Sequence, residues 1–391
     1  MQSWVAMQFK VDKSNWKKVR LGDVATEYSK RCNNPSESGF ERFIGSSNIN
    51  QWDFRINSWE STDSVTSAMK LFEPNDYLLV RRSLYASDFR ERAPRANFAG
   101  VCSGDILTIR ENPKMIADGF LIGILNSPAL WKYVVANASG SITRRIKWRD
   151  LANYEFLLPP KEQQAELAEL LWAMDEVIEK DFAVLEKLRV SKESMERVFL
   201  KDDSYETDSI MNIASVQRGR FSHRPRNAPE FYGGNIPFIQ TGEVVESDKY
   251  ISNFTQTLNE KGLSISKMFP MGTIVMTIAA NIGYVGILSF DSAFTDSLVG
   301  IQADENKVTQ DYLYYYLNSK RLAVESLATQ SAQKNLSIEG FSSFQVAYPS
   351  DKKKQNQITA SLDSIREIID TTLEKISASK ALQKSLINEV F

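Results

Sequence analysis

Two stretches of the chain space their apolar residues in alternating steps of three and four. Between Glu162 and Leu200 the seam is Leu167, Leu171, Met174, Ile178, Leu185, Leu188, Met195 and Phe199, interrupted at Asp181 and Lys192. From Gln355 onward it is Ile358, Leu362, Ile365, Ile369, Ile376, Leu386 and Val390, interrupted at Thr372, Ser379 and Gln383. This period, kept over about five heptads, predicts two long helices that pair as a coiled coil. Leu167, Leu171, Met174, Ile178, Leu185 and Leu188 would face Ile358, Leu362, Ile365, Ile369 and Ile376. Two amphipathic helices packed on their own domains are the plainer alternative, but their length is unusual for that. The first helix leads from the first half of the chain to the second, so a partner starting in the second half must run back. The pair is therefore antiparallel, and ~35 residues at 1.5 Å each make a rod of ~50 Å. That length matches about 15 base pairs of duplex.

The remaining sequence alternates short β-rich runs with Gly, Pro and Asn, and it repeats. Leu21–Ala25 answers Ile210–Ala214, Phe43–Ile49 answers Phe238–Val244, Asp118–Ser127 answers Gln310–Ser319, and Thr143–Pro159 answers Gln333–Pro349, at offsets between 189 and 195. Four matches in one order at a nearly constant offset indicate an internal duplication. The expected fold is α+β: two mixed α/β domains, residues 1–160 and 203–350, separated by an antiparallel pair of helices, residues 161–202 and 351–391. Met268–Phe290 is 23 residues without a charge, long enough to span a bilayer. Its Pro and Gly residues and two β-branched runs predict instead two buried strands joined by a turn at Asn281-Ile282-Gly283.

The one histidine, His223, and the two cysteines, Cys32 and Cys102, supply no multi-His metal site, CxxC knuckle or disulfide framework. Two unpaired thiols and a polar amino-terminal stretch suit a reducing cytoplasm. No phosphate loop, GxGxxG, G-x-S-x-G elbow or Asn/Asp-Pro-Pro-aromatic tetrapeptide occurs, and Leu158-Pro159-Pro160-Lys161 reads as the start of a helix. Asp296, Glu305 and Lys307 have the spacing of a metal-dependent nuclease but also of an acidic surface turn, and the first repeat lacks them.

The net charge of −2 is uneven. Residues 1–155 hold 22 basic and 17 acidic side chains, whereas residues 201–349 hold 12 and 16. The basic clusters are Arg81-Arg82, then Arg90, Arg92 and Arg95, then Arg144-Arg145 with Lys147, and in the second half Arg218, Arg220, Arg224 and Arg226. Lys334-Asn335 is the second-half counterpart of Arg144-Arg145. Guanidinium forks suit phosphate and the major-groove edge of guanine. Placed in loops at equivalent points of two domains, these residues are candidates for DNA contact, with Thr241, Gln240 and Asn281 as neutral polar candidates. The acidic second half implies binding within a complex that supplies further basic surface.

The segment Phe231-Tyr232-Gly233-Gly234-Asn235-Ile236-Pro237-Phe238-Ile239, with Gly242-Glu243-Val244 after it, is similar to the opening of the target recognition domains of type I restriction-modification specificity (S) subunits. Leu157-Leu158-Pro159-Pro160-Lys161-Glu162-Gln163-Gln164 resembles the region that follows such a domain, and Tyr348-Pro349…Lys354-Gln355-Asn356-Gln357 is a degenerate second copy. The resemblance spans essentially the whole chain. It implies a non-catalytic subunit that reads two halves of an asymmetric site in double-stranded DNA. Two modification (M) subunits carrying S-adenosylmethionine would dock on it, with restriction (R) motor-nuclease subunits using ATP, and no cofactor would reside in this chain. A type IIB-like specificity subunit, a stand-alone nuclease and a coiled-coil scaffold are the rival readings.

Overall fold

The structure, a computed structural model, describes residues 11–85, 89–223, 228–328 and 334–391. By packing, the chain divides into one unit of Met1–Leu185 with Thr372–Phe391 and a second of Glu186–Thr371. Both long helices are continuous, Lys161–Phe199 and Lys352–Val390, and each contributes one part to each unit.

The two units share a plan. In the first, strand Lys17–Arg20 pairs antiparallel with Glu155–Leu158. In the second, Glu206–Ser209 pairs the same way with Gln345–Tyr348. A one-turn helix follows the first strand of each pair, Leu21–Val24 or Ile210–Ile213. The central strands are Tyr77–Val80 against Ile106–Glu111, and Ile274–Thr277 against Leu298–Ala303, both antiparallel. A parallel pair completes each motif, Arg42–Ile44 beside Gly100–Cys102 and Tyr232–Ile239 beside Ser292–Phe294. The uncharged stretch forms strands Ile274–Thr277 and Val285–Leu288, paired antiparallel as expected. Among the described residues no helix is long and apolar enough to cross a membrane.

Most seam residues are buried, Leu167 and Leu171 in the core of the first unit and Ile358 and Leu362 in that of the second. Leu167, Leu171, Ile178 and Leu185 are buried in the first unit together with Ile376, and Ile358, Leu362 and Ile365 in the second. Met174, Leu188 and Ile369 are half-buried, and Asp175 takes the buried position beside Met174. Within the first unit the helices run antiparallel: Lys375 Nζ meets Asp181 at 2.8 Å, and Gln383 Nε2 approaches the Leu171 carbonyl at 3.4 Å. The polar interruptions at Asp181 and Gln383 are thus filled by partners from the opposite helix. Trp172 packs against Phe54 and donates from Nε1 to the Gly119 carbonyl. Gly119 has φ +76°, and a Cβ there would lie 2.4 Å from the Trp172 indole nitrogen. Gly123 similarly leaves room for the Phe391 ring, which packs edge-on to Phe120.

A buried glutamine starts each long helix. Gln164 donates to the carbonyls of Pro159 and Met115 and accepts from the Ala117 amide. Gln355 donates to Pro349 and Lys307 carbonyls at 2.7 and 2.9 Å and accepts from the Thr309 amide at 2.7 Å. The degenerate second copy therefore keeps the one residue whose amide satisfies three backbone groups in the core.

Replacing Gln355 with Leu strands those three groups and is expected to destabilise the second unit by about 2–4 kcal/mol, read from urea unfolding; Gln164→Leu should act on the first. Hydrogen bonds from Ser204 and the Lys354 ammonium hold the Asp202 carboxyl down at about 2. A carboxyl lowered on folding stabilises above its unfolded value and ceases to do so as pH falls through the folded one. Asp202→Asn should therefore flatten the loss of stability below pH ~4 in an acid titration followed by circular dichroism. Burial pushes the Cys102 thiol up to about 12, and Cys32 is buried too. Neither should react with a disulfide reagent at pH 8 until the chain is unfolded.

Candidate nucleic-acid interface

The same place in both units carries some of the sequence candidates. In the first, the strand Tyr77–Val80 runs into Arg81, and Arg82–Ser83 then pairs antiparallel with Arg144–Arg145. Asp105 holds this corner, accepting from Arg82 at 2.8 Å and Arg145 at 2.9 Å. Both guanidiniums keep part of their surface in solvent, and Lys147 is exposed beside them. Leu84, Tyr85 and Ile142 stand exposed at the same corner, at 60, 68 and 84%. Three exposed apolar side chains among arginines suit contact with sugars and thymine methyls.

Beside this corner lies an open hollow of about 500 Å³, lined by Arg82, Arg90, Arg92, Ser46, Asn50 and Gln51 among others, with no carboxylate among the described residues of its wall. Ser46–Asn48 is a single 3₁₀ turn at the end of the strand Arg42–Ile44, fixed by the Gly45 amide donating to Asn48 Oδ1 at 2.7 Å. The arginines and the short polar turn thus meet from three separate segments.

Arg95 does not reach this hollow. Its guanidinium, 12% exposed, is committed to Asp118 and Glu111 beneath Trp172. Glu111 also accepts from the buried Tyr77 hydroxyl, and burial raises its carboxyl above the usual range. This is an internal network, and its sequence neighbours Arg90 and Arg92 are the members left at the surface.

In the second unit the turn after Ile274–Thr277 occupies the position of Arg82–Ser83. Ala279 bridges to Asn335 as Arg82 does to Arg145, and the Leu336 amide donates to the Ile278 carbonyl as Ile146 does to Arg81. Lys334, Asn335 and Asn281 are thereby brought together, all exposed. The turn is rigid: Thr277 Oγ1 accepts from the Tyr284 amide and donates to the Asn281 carbonyl, and Ala280 sits at φ +61°. A non-glycine residue held in that region is strained, and such strain gathers at ligand-facing turns. Lys334 also approaches Glu325 at 3.4 Å. Thr241 is half-buried and begins the helix Thr241–Glu246, the counterpart of the Ser46 turn.

Arg218 ends the strand Ala214–Arg218 and Arg220 follows it, and both are held by backbone carbonyls. Arg218 donates to the Asp296 carbonyl, and Arg220 to the Ser266 carbonyl. Arg224 and Arg226 lie outside the described residues. A hollow of about 410 Å³ near this strand is lined by Phe221, Tyr232, Phe238, Gln240, Gln256 and Thr295 among others. The Glu305 and Lys307 side chains go to separate partners, Lys352 and Asp208. Among the described residues no three His, Cys, Asp or Glu side chains gather to hold a metal.

The arginines stand out as candidates in the sequence because charge is local in it. Asp105, Asn50, Gln51, Leu84, Tyr85 and Ile142, which join them as candidates, carry no pattern until the strands bring them together.

Two repeat-related α+β units thus each end the same strand pair in a polar loop corner. Residues 205–379 match the type I restriction modification DNA specificity domain. A Methanocaldococcus jannaschii protein described as the type I restriction enzyme MjaX specificity subunit is 23% identical over 306 residues, 73% of this chain and 69% of that protein. The S subunit of a type I restriction-modification system from M. genitalium shares the fold, with TM-score 0.62 and 14% identity over 98% of each chain. So does a chain from a solved type I R-M system assembly, with TM-score 0.61 and 17% identity over 97% of this chain and 98% of that one. Residues 205–379 thus carry the DNA specificity domain of this family, and the whole chain shares the fold of its specificity subunits.

Arg90→Gln and Arg144→Gln are each expected to weaken duplex binding for every sequence alike and to lower the salt slope by about 1. Asn281→Ala should leave the slope unchanged and alter which sequences compete. Filter binding against mixed duplexes across a salt series distinguishes the two.

Proposed function

We propose that this chain is the non-catalytic subunit that reads a bipartite, asymmetric site in double-stranded DNA, one half with each unit. The observation that carries the reading is the duplicated loop corner with unlike residues: Arg82, Arg144 and Arg145 in one unit, Asn281, Lys334 and Asn335 in the other. Equal placement with unequal side chains suits two different half-sites. The long helices hold the halves at a set spacing and dock two M subunits, which bring S-adenosylmethionine, while R subunits bring ATP-dependent cleavage. The system works in the cytoplasm of a prokaryote. Specific base contacts come from the neutral and arginine side chains of the corners, and partner surface offsets the acidity of residues 201–349.

Footprinting of the complex with its M subunits is expected to show two protected segments separated by an unprotected spacer. A single continuous footprint would sink this reading. Removing about one helical turn from both long helices should shorten the spacer that is read.

A further inference from the structure

In each unit a few residues tie the candidate DNA face to the long helices. In the first unit, Asn50 lines the hollow and donates to Asp53 Oδ2 at 3.0 Å. The other oxygen of the same carboxylate meets Lys380 Nζ at 3.3 Å on the final helix. Two residues on, Arg55 Nε meets Asp175 at 2.6 Å, and Asn57 donates to Glu179 at 3.2 Å, both on the central helix. Between them Phe54 is buried against Trp172, and Trp52 stands at φ +66° with the Lys384 ammonium over its ring. One short strap thus holds the groove on one side and both helices on the other.

The second unit repeats the strap with different chemistry at the offset of 195 seen in the sequence. Asp248 follows the helix Thr241–Glu246 and meets Arg366 at 3.0 Å. Lys249, 1% exposed, meets Asp363 and Asp311, each at 2.8 Å, and the Tyr315 hydroxyl donates to the same Asp363. Burial works to lower the Lys249 pKa, but these carboxylates more than reverse it, so the ammonium stays charged.

Apolar contacts such as Phe54 on Trp172 would suffice to dock a domain on a helix. An ion pair adds little net stability, but its directed contacts favour one geometry over its neighbours. We propose that Asp53 and Arg55 in the first unit, and Asp248 and Lys249 in the second, are positioning residues that fix the register of each recognition groove on the long helices and so set the DNA spacer length accepted. The proposal rests on the bipartite reading above. Slack of ~2 Å at each strap would add up to about the 3.4 Å rise of one base pair. Helix length alone therefore cannot make spacing strict unless the straps hold.

The test co-expresses the full chain with its modification subunits in a host lacking adenine methylation, and methylated sites are read across the host genome. R55Q/D175N removes both charges of a pair and leaves no orphan ion; Asp248→Asn changes a carboxylate that is 62% exposed and tests the second strap without risk to the core. The expected result is unchanged half-site sequences, with sites one base pair longer or shorter methylated at a tenth or more of the frequency of the native spacer. Arg55→Lys, which keeps the charge, should retain the single spacer. Strict native spacing in both R55Q/D175N and Asp248→Asn overturns the proposal, as does a changed half-site sequence. If R55Q/D175N fails to fold, Asp248→Asn decides alone. A wild-type methylome without split sites would instead overturn the bipartite reading itself.

Discussion

Each long helix carries in its first turn a glutamine that is buried beside backbone groups of the preceding strand end and of a neighbouring loop, which cannot turn to water there. Gln164 and Gln355 resolve that constraint with one carboxamide each, joining the strand that precedes the helix to the loop that precedes the next helix of the domain. An unpaired buried backbone group costs as much as a lost hydrogen bond or more. The helix therefore starts at one place and in one direction, and the placement of both helices against both sheets follows from it. The two copies share this residue although Pro159-Pro160 in one stands as Pro349-Ser350 in the other, and Gln163-Gln164 as Lys354-Gln355.

Polar groups inside the first helix pair serve the same end by other means. Asp181 with Lys375, and Gln383 with the Leu171 carbonyl, interrupt an otherwise aliphatic seam. Each gives up some apolar burial, and each permits a single alignment of the two helices. The straps apply that logic between a helix and its domain. Phe54 on Trp172 in one unit and Lys249 to Asp363 in the other fasten equivalent places with residues that are not interchangeable. A domain grafted from one position to the other would meet the wrong charges.

The sequence revealed those features that repeat at short range. Steps of three and four exposed both helices, and the turn Asn281-Ile282-Gly283 between β-branched runs exposed the central hairpin of the second unit. The same local logic failed where tertiary packing overrode it. Asp175 is buried because Arg55, 120 residues away, meets it. Arg95 belongs to a surface-like arginine cluster in sequence but is drawn inward by Glu111 and Asp118. The hollow in the first unit joins residues 46–51, 82–84 and 90–92, segments with no periodicity and unremarkable composition. Charge located the arginines; only the strand pairing showed which of them share a surface.

The first unit is made of Met1–Leu185 together with Thr372–Phe391. Its core includes Leu386, Ile387 and Val390, and the space over Gly123 is filled by Phe391. During synthesis the roughly 190 residues of the second unit must be made before that core can close, a delay of about 10–40 s at ordinary elongation rates. The apolar face around Phe120 and Gly123 therefore spends that interval uncovered on the ribosome. The domain made first is completed last.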